Sequence, residues 1–234
     1  MSKIHSAILL AAGRGERMRP LSLTTPKPLI HVAGRALIDH GLEKLKACGI
    51  ENIIVNAHWL AEQIEQWAKL HPQIKISDER DQLLDTGGGV KKALPLLGKH
   101  PFFILNSDSF WQEAGEPALA RMQARFSDDM DGLLLLAPAA TSLGYEGQGD
   151  FTMQSDGKLL RRPDKQVAPF IYAGACILRP ELFANINEEA FSLNKIWDAA
   201  LSRERLYGLR LDGRWLHVGT PSSIAQAEKA LNEV

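Results

Sequence analysis

Residues Ala11–Pro20 read Ala-Ala-Gly-Arg-Gly-Glu-Arg-Met-Arg-Pro and directly follow an apolar run. Gly13 and Gly15 let the backbone turn sharply and approach a ligand closely. Arg14, Arg17 and Arg19 crowd three guanidinium groups into the same short loop. Bare amides and guanidinium forks together suit the oxygens of a polyphosphate. Two common phosphate motifs are excluded. A dinucleotide fingerprint needs a third glycine opening a helix, and Met18 and Pro20 stand there instead. A P-loop needs Gly-Lys-Ser/Thr, which is absent. Lys27 follows, held between Pro26 and Pro28, which stiffen its backbone. On these residues alone the loop is either a structural turn or an anion cradle. The neighbouring lysine favours the cradle.

Two further segments carry chemistry or plain structure. Thr86-Gly87-Gly88-Gly89 is either a loose entry to a helix from Gly88, or a side-chain-free platform for a flat base. Asp108 closes an apolar strand that starts at Phe102, and such an aspartate is either a helix cap or a carboxylate on the ligand face.

These groups need a scaffold, and the apolar periodicity supplies one. Strands are expected at 6–12, 52–56, 74–77 and 102–105, alternating with helices at 36–48, 59–70, 88–97 and 117–126. Gly49 caps the first helix. The alternation predicts βαβ units around a mostly parallel sheet. The second half is less regular: strands at 132–137, 150–154, 158–161, 170–178 and 206–211, with helices at 193–202 and 221–231. In such folds ligands bind beyond the carboxyl ends of the strands. The loops after Ala12, Asn56, Ser77 and Leu105 are therefore the places to search.

The 234 residues are 24% charged and 45% hydrophobic, which excludes a disordered or collagen-like chain. A net charge of -1 provides no global field for nucleic acid or an anionic membrane. The five tryptophans form no ladder interleaved with basic residues, and we expect no nucleic-acid binding. Cys48 and Cys176 lack metal-ligand spacing and read as buried thiols. Glu79 and Arg80 lie after a strand and before the glycine run; they either border the site or are surface charge, and surface charge is the preferred reading. No secretory signal or membrane helix is visible, so a cytoplasmic protein is expected.

Leu10–Leu21 (LAAGRGERMRPL), followed by Pro26-Lys27-Pro28-Leu29, resembles the signature of the sugar-1-phosphate nucleotidyltransferases. The likeness extends through Leu84–Gly89 (LDTGGG), Asn106-Ser107-Asp108, Gly149-Asp150-Phe151 and Trp215–Thr220 (WLHVGT). Within the family it is strongest toward the uridylyltransferases of N-acetylmuramate 1-phosphate. The resemblance implies one GT-A-like domain over residues 1–234, a Rossmann-like α/β fold with a mostly parallel mixed sheet flanked by helices. A nucleotide-binding half would span about 1–110 and a sugar-phosphate half about 111–234.

The implied substrates are UTP and N-acetylmuramate 1-phosphate, with an NDP-sugar and pyrophosphate as products. By this likeness Arg17 and Lys27 are catalytic, the first on the triphosphate and the second near the α-phosphate and sugar phosphate. Ala11, Ala12, Gly13, Gly15 and Glu16 would line the nucleotide, with Thr86 and Gly87 at its base. Asn106 and Asp150 would meet the sugar. Asp108 would ligate Mg²⁺, with Mn²⁺ a further option. His217 occupies a position where most relatives carry a second acidic metal ligand. Imidazole suits hard Mg²⁺ poorly, so His217 ligates a softer ion, contacts substrate, or marks a weakened site. Ser107 also departs from the usual glycine. The alternatives are a guanylyl-, adenylyl- or thymidylyltransferase of mannose, heptose or glucose 1-phosphate, and a silent nucleotide- or sugar-binding module. A monomer or small homo-oligomer is expected.

Overall fold

The structure is a computed structural model that describes residues 3–232. The chain opens with β1 (Ser6–Leu10), and three short 3₁₀ turns then carry it through residues 16–29. A small hairpin of β2 (His31–Val32) and β3 (Arg35–Ala36) leads into α1 (Leu37–Ala47). Next come β4 (Asn52–Ala57), α2 (Ala61–Ala68), β5 (Ile74–Asp78), α3 (Asp85–Leu97), β6 (Phe102–Asn106) and β7 (Ser109–Glu113). The chain continues with α4 (Ala118–Arg125), β8 (Gly132–Pro138), β9 (Phe151–Met153), β10 (Leu159–Arg161) and β11 (Phe170–Leu178). It closes with α5 (Leu193–Ser202), β12 (Leu206–Arg210), β13 (Gly213–His217) and α6 (Pro221–Asn232).

Nine strands form one sheet with the path β10-β9-β11-β6-β1-β4-β5, while β8 pairs with β11 and β12 with β8. Only β10 and β11 run against the other seven. The sheet is therefore mixed but mostly parallel, a single α/β domain as the alternating pattern implies. Consecutive strand residues face opposite sides, and the core divides accordingly. Leu9, Ile53, Phe103 and Leu133 pack under α1, α2 and α4. Their sequence neighbours Ile8, Ile54, Phe102 and Leu134 pack under α3 and α5. Burial on both faces explains why these strands read as continuous apolar runs. The first helix ends as expected, with Gly49 at φ +76°.

Three features differ from the sequence reading. The helix expected from Gly88 starts at Asp85, so the three glycines lie within its first turns and are buried. A Cβ on Gly88 would overlap the Glu189 carbonyl. These glycines therefore permit close packing of α3 on the chain before α5. Second, β7 and β13 pair in an antiparallel ribbon, with His217 opposite Ser109. Each is five residues long and carries one buried tryptophan, Trp111 and Trp215. The ribbon, α6 and Met18 share a third apolar cluster, which anchors the arginine-bearing loop from below. Third, Cys48 is only half-buried, whereas Cys176 is fully buried and its thiol is pushed up to about 12.

Candidate active site

The arginine-bearing loop leaves the carboxyl end of β1, in the middle of the parallel strands. Gly15 sits at φ +62°, and a Cβ there would lie 2.9 Å from the Lys27 Cβ. The Gly15 carbonyl accepts from Ser22 Oγ at 2.7 Å and from the Met18 amide at 2.8 Å. Glycine is thus required here by both conformation and space. Among the described residues, the amides of Ala12 to Arg17 donate to no protein group. The Ala11 amide is engaged, donating to Asn56 Oδ1 at 2.6 Å. Arg14 and Arg17 are exposed and form no ion pair among the described residues, while Arg19 lies 3.9 Å from Glu16. The loop therefore presents amides, and the guanidinium groups of Arg14 and Arg17, that have no partner among the described residues.

Lys27 reaches across to β6. Its Nζ lies 3.0 Å from Asp108 Oδ2, with only 12% of the lysine side chain exposed. Burial alone would raise the Asp108 pKa. At the acidic pH where the carboxyl titrates, the charges of Lys27, protonated His217 and Arg17 outweigh it and hold the carboxyl below its ordinary range. His217 is shifted down by its own burial, partly opposed by Asp108, and is neutral at pH 7. Its ring stacks on Trp215, with centroids 5.6 Å apart.

Two cavities meet over these groups. The first, about 700 Å³, is bounded by the loop, Lys27, Asn56, Glu79 and Thr86. The second, about 680 Å³, is bounded by Tyr145, Asp150, Arg161, Tyr172, Asn194 and His217. Arg17, Asn106, Asp108 and Gly219 line both and form their common rim. Two anionic ligands could thus meet at an edge where Arg17 and the adjoining Lys27 outnumber Asp108.

Most of the residues singled out in the sequence are gathered here. Ala11, Ala12, Gly13, Gly15, Glu16 and Thr86 line the first cavity, and Asp150 and His217 the second. The Thr86 hydroxyl accepts from the Leu193 amide at 2.9 Å, and Asp150 Oδ2 accepts from the Tyr172 amide at 2.9 Å. Gly87 is placed differently. Its amide donates to the Phe191 carbonyl at 2.8 Å and its Cα faces the Phe191 ring, so it borders the segment before α5 rather than the cavity. Arg80 is a surface charge, paired with Asp78, Glu62 and Glu65.

Glu79 is not surface charge. It is fully buried, with Oε1 accepting from Asn56 Nδ2 at 2.8 Å and Oε2 without a hydrogen-bond partner among the described residues. Desolvation raises its pKa. Asn56 and Glu79 lie at the carboxyl ends of β4 and β5, and their loops had been marked for search. The signal for the pair was their common position in the sheet. Gly89 accommodates both, since a Cβ there would lie 2.7 Å from Glu79 Oε1 and 2.8 Å from Asn56 Nδ2.

Among the described residues no group of three or more His, Cys, Asp or Glu is arranged for a metal. The donors at the rim still fit a hard cation in part. Asp108 Oδ1 accepts no hydrogen bond among the described residues, and Mg²⁺ is commonly held by one or two carboxylates plus substrate phosphates. The His217 imidazole is the ill-matched donor.

The chain matches the family Nucleotidyl transferase over residues 6–234. It is 41% identical over 234 residues to the N-acetylmuramate alpha-1-phosphate uridylyltransferase of Caulobacter vibrioides, covering 97% of each chain. The enzyme of the same name from Neisseria meningitidis serogroup B is 35% identical over 230 residues, covering 95% of this chain and 96% of that one. Among solved structures, UDP-glucose pyrophosphorylase with UDP-glucose superposes at TM-score 0.79 and 15% identity, covering 98% of this chain and 99% of that chain. At that identity the likeness speaks to the fold. The sequence match over nearly the whole length establishes that this chain belongs to the nucleotidyl transferase family.

Proposed function

We propose that the chain condenses UTP with N-acetylmuramate 1-phosphate, giving UDP-N-acetylmuramate and pyrophosphate. The observation that carries this reading is the meeting of two cavities at the Arg17–Asp108 rim, in a chain whose relatives of that name align end to end. The first cavity takes the nucleotide and the second the sugar phosphate, which corresponds to halves of about 1–110 and 111–234.

A sugar phosphate oxygen attacks the α-phosphorus, and the bond to the bridging oxygen of pyrophosphate breaks. The nucleophile is already anionic at neutral pH, so no general base is needed. The barrier lies in bringing two anions together and in the charge left on pyrophosphate. The amides of residues 12–17 and the Arg17 guanidinium receive the β- and γ-phosphates. Lys27 Nζ, held by Asp108, faces the α-phosphate and the incoming oxygen. Asn106 and Asp150 orient the sugar, and Thr86 borders the base. Gly87 shapes that border through its packing on Phe191.

The family is generally dependent on a divalent metal. Mg²⁺, or Mn²⁺ in its place, would neutralise phosphate charge when bound, held by Asp108 Oδ1 and phosphate oxygens. His217, which lines the second cavity beside the rim, then serves the sugar phosphate rather than the metal. No helix of the described residues is long and apolar enough to cross a membrane. We infer a cytoplasmic monomer or small homo-oligomer that binds no nucleic acid, the last in keeping with a net charge of -1.

A second reading, a module that binds nucleotide without turnover, is favoured by the imidazole of His217 alone. A pyrophosphate-release screen separates the two. The nucleoside triphosphates are crossed with sugar 1-phosphates under Mg²⁺ and Mn²⁺. The proposal predicts maximal release with UTP and N-acetylmuramate 1-phosphate. Silence of the wild type, with turnover created by His217→Asp, would establish the second reading instead.

A further inference from the structure

The second cavity holds a cation that the transfer reaction does not need. Arg161 lines that cavity and not the first, so it stands apart from the rim where the phosphates meet. Its neighbour Arg162 is committed to structure, donating to the carbonyls of Gly149 and Gln166 and to Gln148 Oε1. Arg161 differs. Its Nε donates to Asp198 Oδ1 at 3.1 Å, Nη2 also reaches Asp198, and Nη1 donates to Asn194 Oδ1 at 3.2 Å. Two of the five N–H donors of a guanidinium group therefore remain open among the described residues. The group is steadied from below by the Phe151 ring, 4.9 Å away.

Apart from Arg17 on the shared rim, the rest of this wall is acidic or neutral, with Glu146, Asp150, Asn194 and Tyr172 among its lining residues. An anionic substituent on the sugar would be repelled there unless a cation met it. N-acetylmuramate differs from N-acetylglucosamine by an ether-linked lactyl group, whose carboxylate is ionised at neutral pH. We propose that Arg161 is the specificity-determining residue that receives this lactyl carboxylate through its open donors, while Asp198 and Asn194 hold its orientation. The proposal rests on the uridylyltransferase reading above and adds the residue that selects the sugar.

The test compares kcat/KM for N-acetylmuramate 1-phosphate and N-acetylglucosamine 1-phosphate, with UTP held saturating, in wild type, Arg161→Gln and Arg161→Lys. The wild type should prefer the lactyl sugar. Arg161→Gln should lose about tenfold or more of that preference, as a higher KM for the lactyl sugar, in the range expected when a charged hydrogen-bond partner is removed. Arg161→Lys, which keeps the charge but not the fork, should fall between them. An unchanged ratio in either variant, with a wild-type melting temperature, overturns the assignment. Should Arg161→Gln fail to fold, the Arg161→Lys ratio decides alone. Wild-type failure to use either sugar phosphate would instead overturn the uridylyltransferase reading itself.

Discussion

At the scale of single residues the account depends on Lys27 and Arg17. Lys27 is nearly enclosed and paired with Asp108, so its charge is fixed where an α-phosphate would lie. Groups organised in advance around developing charge contribute more than mobile ones. Lys27→Met should lower kcat by on the order of 10²-fold or more, and Arg17→Ala should do the same with a weaker hold on triphosphate. Steady-state pyrophosphate release measures both, and wild-type-like turnover in Lys27→Met would remove the lysine from the mechanism. Lys27 and the arginine loop were legible in the sequence because glycine and proline signatures are local. The burial of Glu79 was not, because it comes from Asn56 and Gly89, 23 and 10 residues away and joined to it by no local rule.

At the scale of elements, the carboxyl ends of β1, β4 and β5 are tied by one chain of bonds, Ala11 to Asn56 to Glu79. Removing Asn56 leaves a buried amide and a buried carboxyl oxygen unpaired, at about 1–3 kcal/mol each. Asn56→Ala should therefore lower the melting temperature and raise KM for UTP more than it lowers kcat, since it loosens the start of the phosphate loop. The raised pKa of Glu79 fixes a sign. The folded state favours the protonated acid, so its stabilising effect is complete below the ordinary value of 4.5 and is lost as pH rises through the higher folded value. Glu79→Gln should melt above wild type at pH 7 and lose that advantage near pH 4. Each kcal/mol is worth about 2–4 °C in a chain of this size. The join of α3 to the chain before α5 is as tight. Gly88→Ala must push Glu189 away, and thermal melts should show a cost of about 1–3 kcal/mol. The glycine run itself was legible. That it makes room for a neighbouring segment was not, because residues 189–191 lie a hundred positions further along the chain.

At the scale of the whole molecule the sheet explains what could be read and what could not. The strands β1, β4 and β6 are buried on both faces and announce themselves as apolar runs. The order in which β8, β9 and β11 join them depends on long-range pairing, which no local pattern carries. The ribbon of β7 and β13 was hidden for the same reason, and it brings His217 toward Asp108 from 109 residues away. The fold thus assembles a cationic rim between two cavities from segments at both ends of the chain. The central claim is that this rim clasps a triphosphate. The most direct measurement is a crystal structure with a non-hydrolysable UTP analogue and Mg²⁺. The account predicts the β- and γ-phosphates on the amides of residues 12–17 and on Arg17, with the α-phosphate facing Lys27. Phosphates lodged elsewhere, such as the separate cavity of about 540 Å³ beside Lys44 and Trp111, would contradict it.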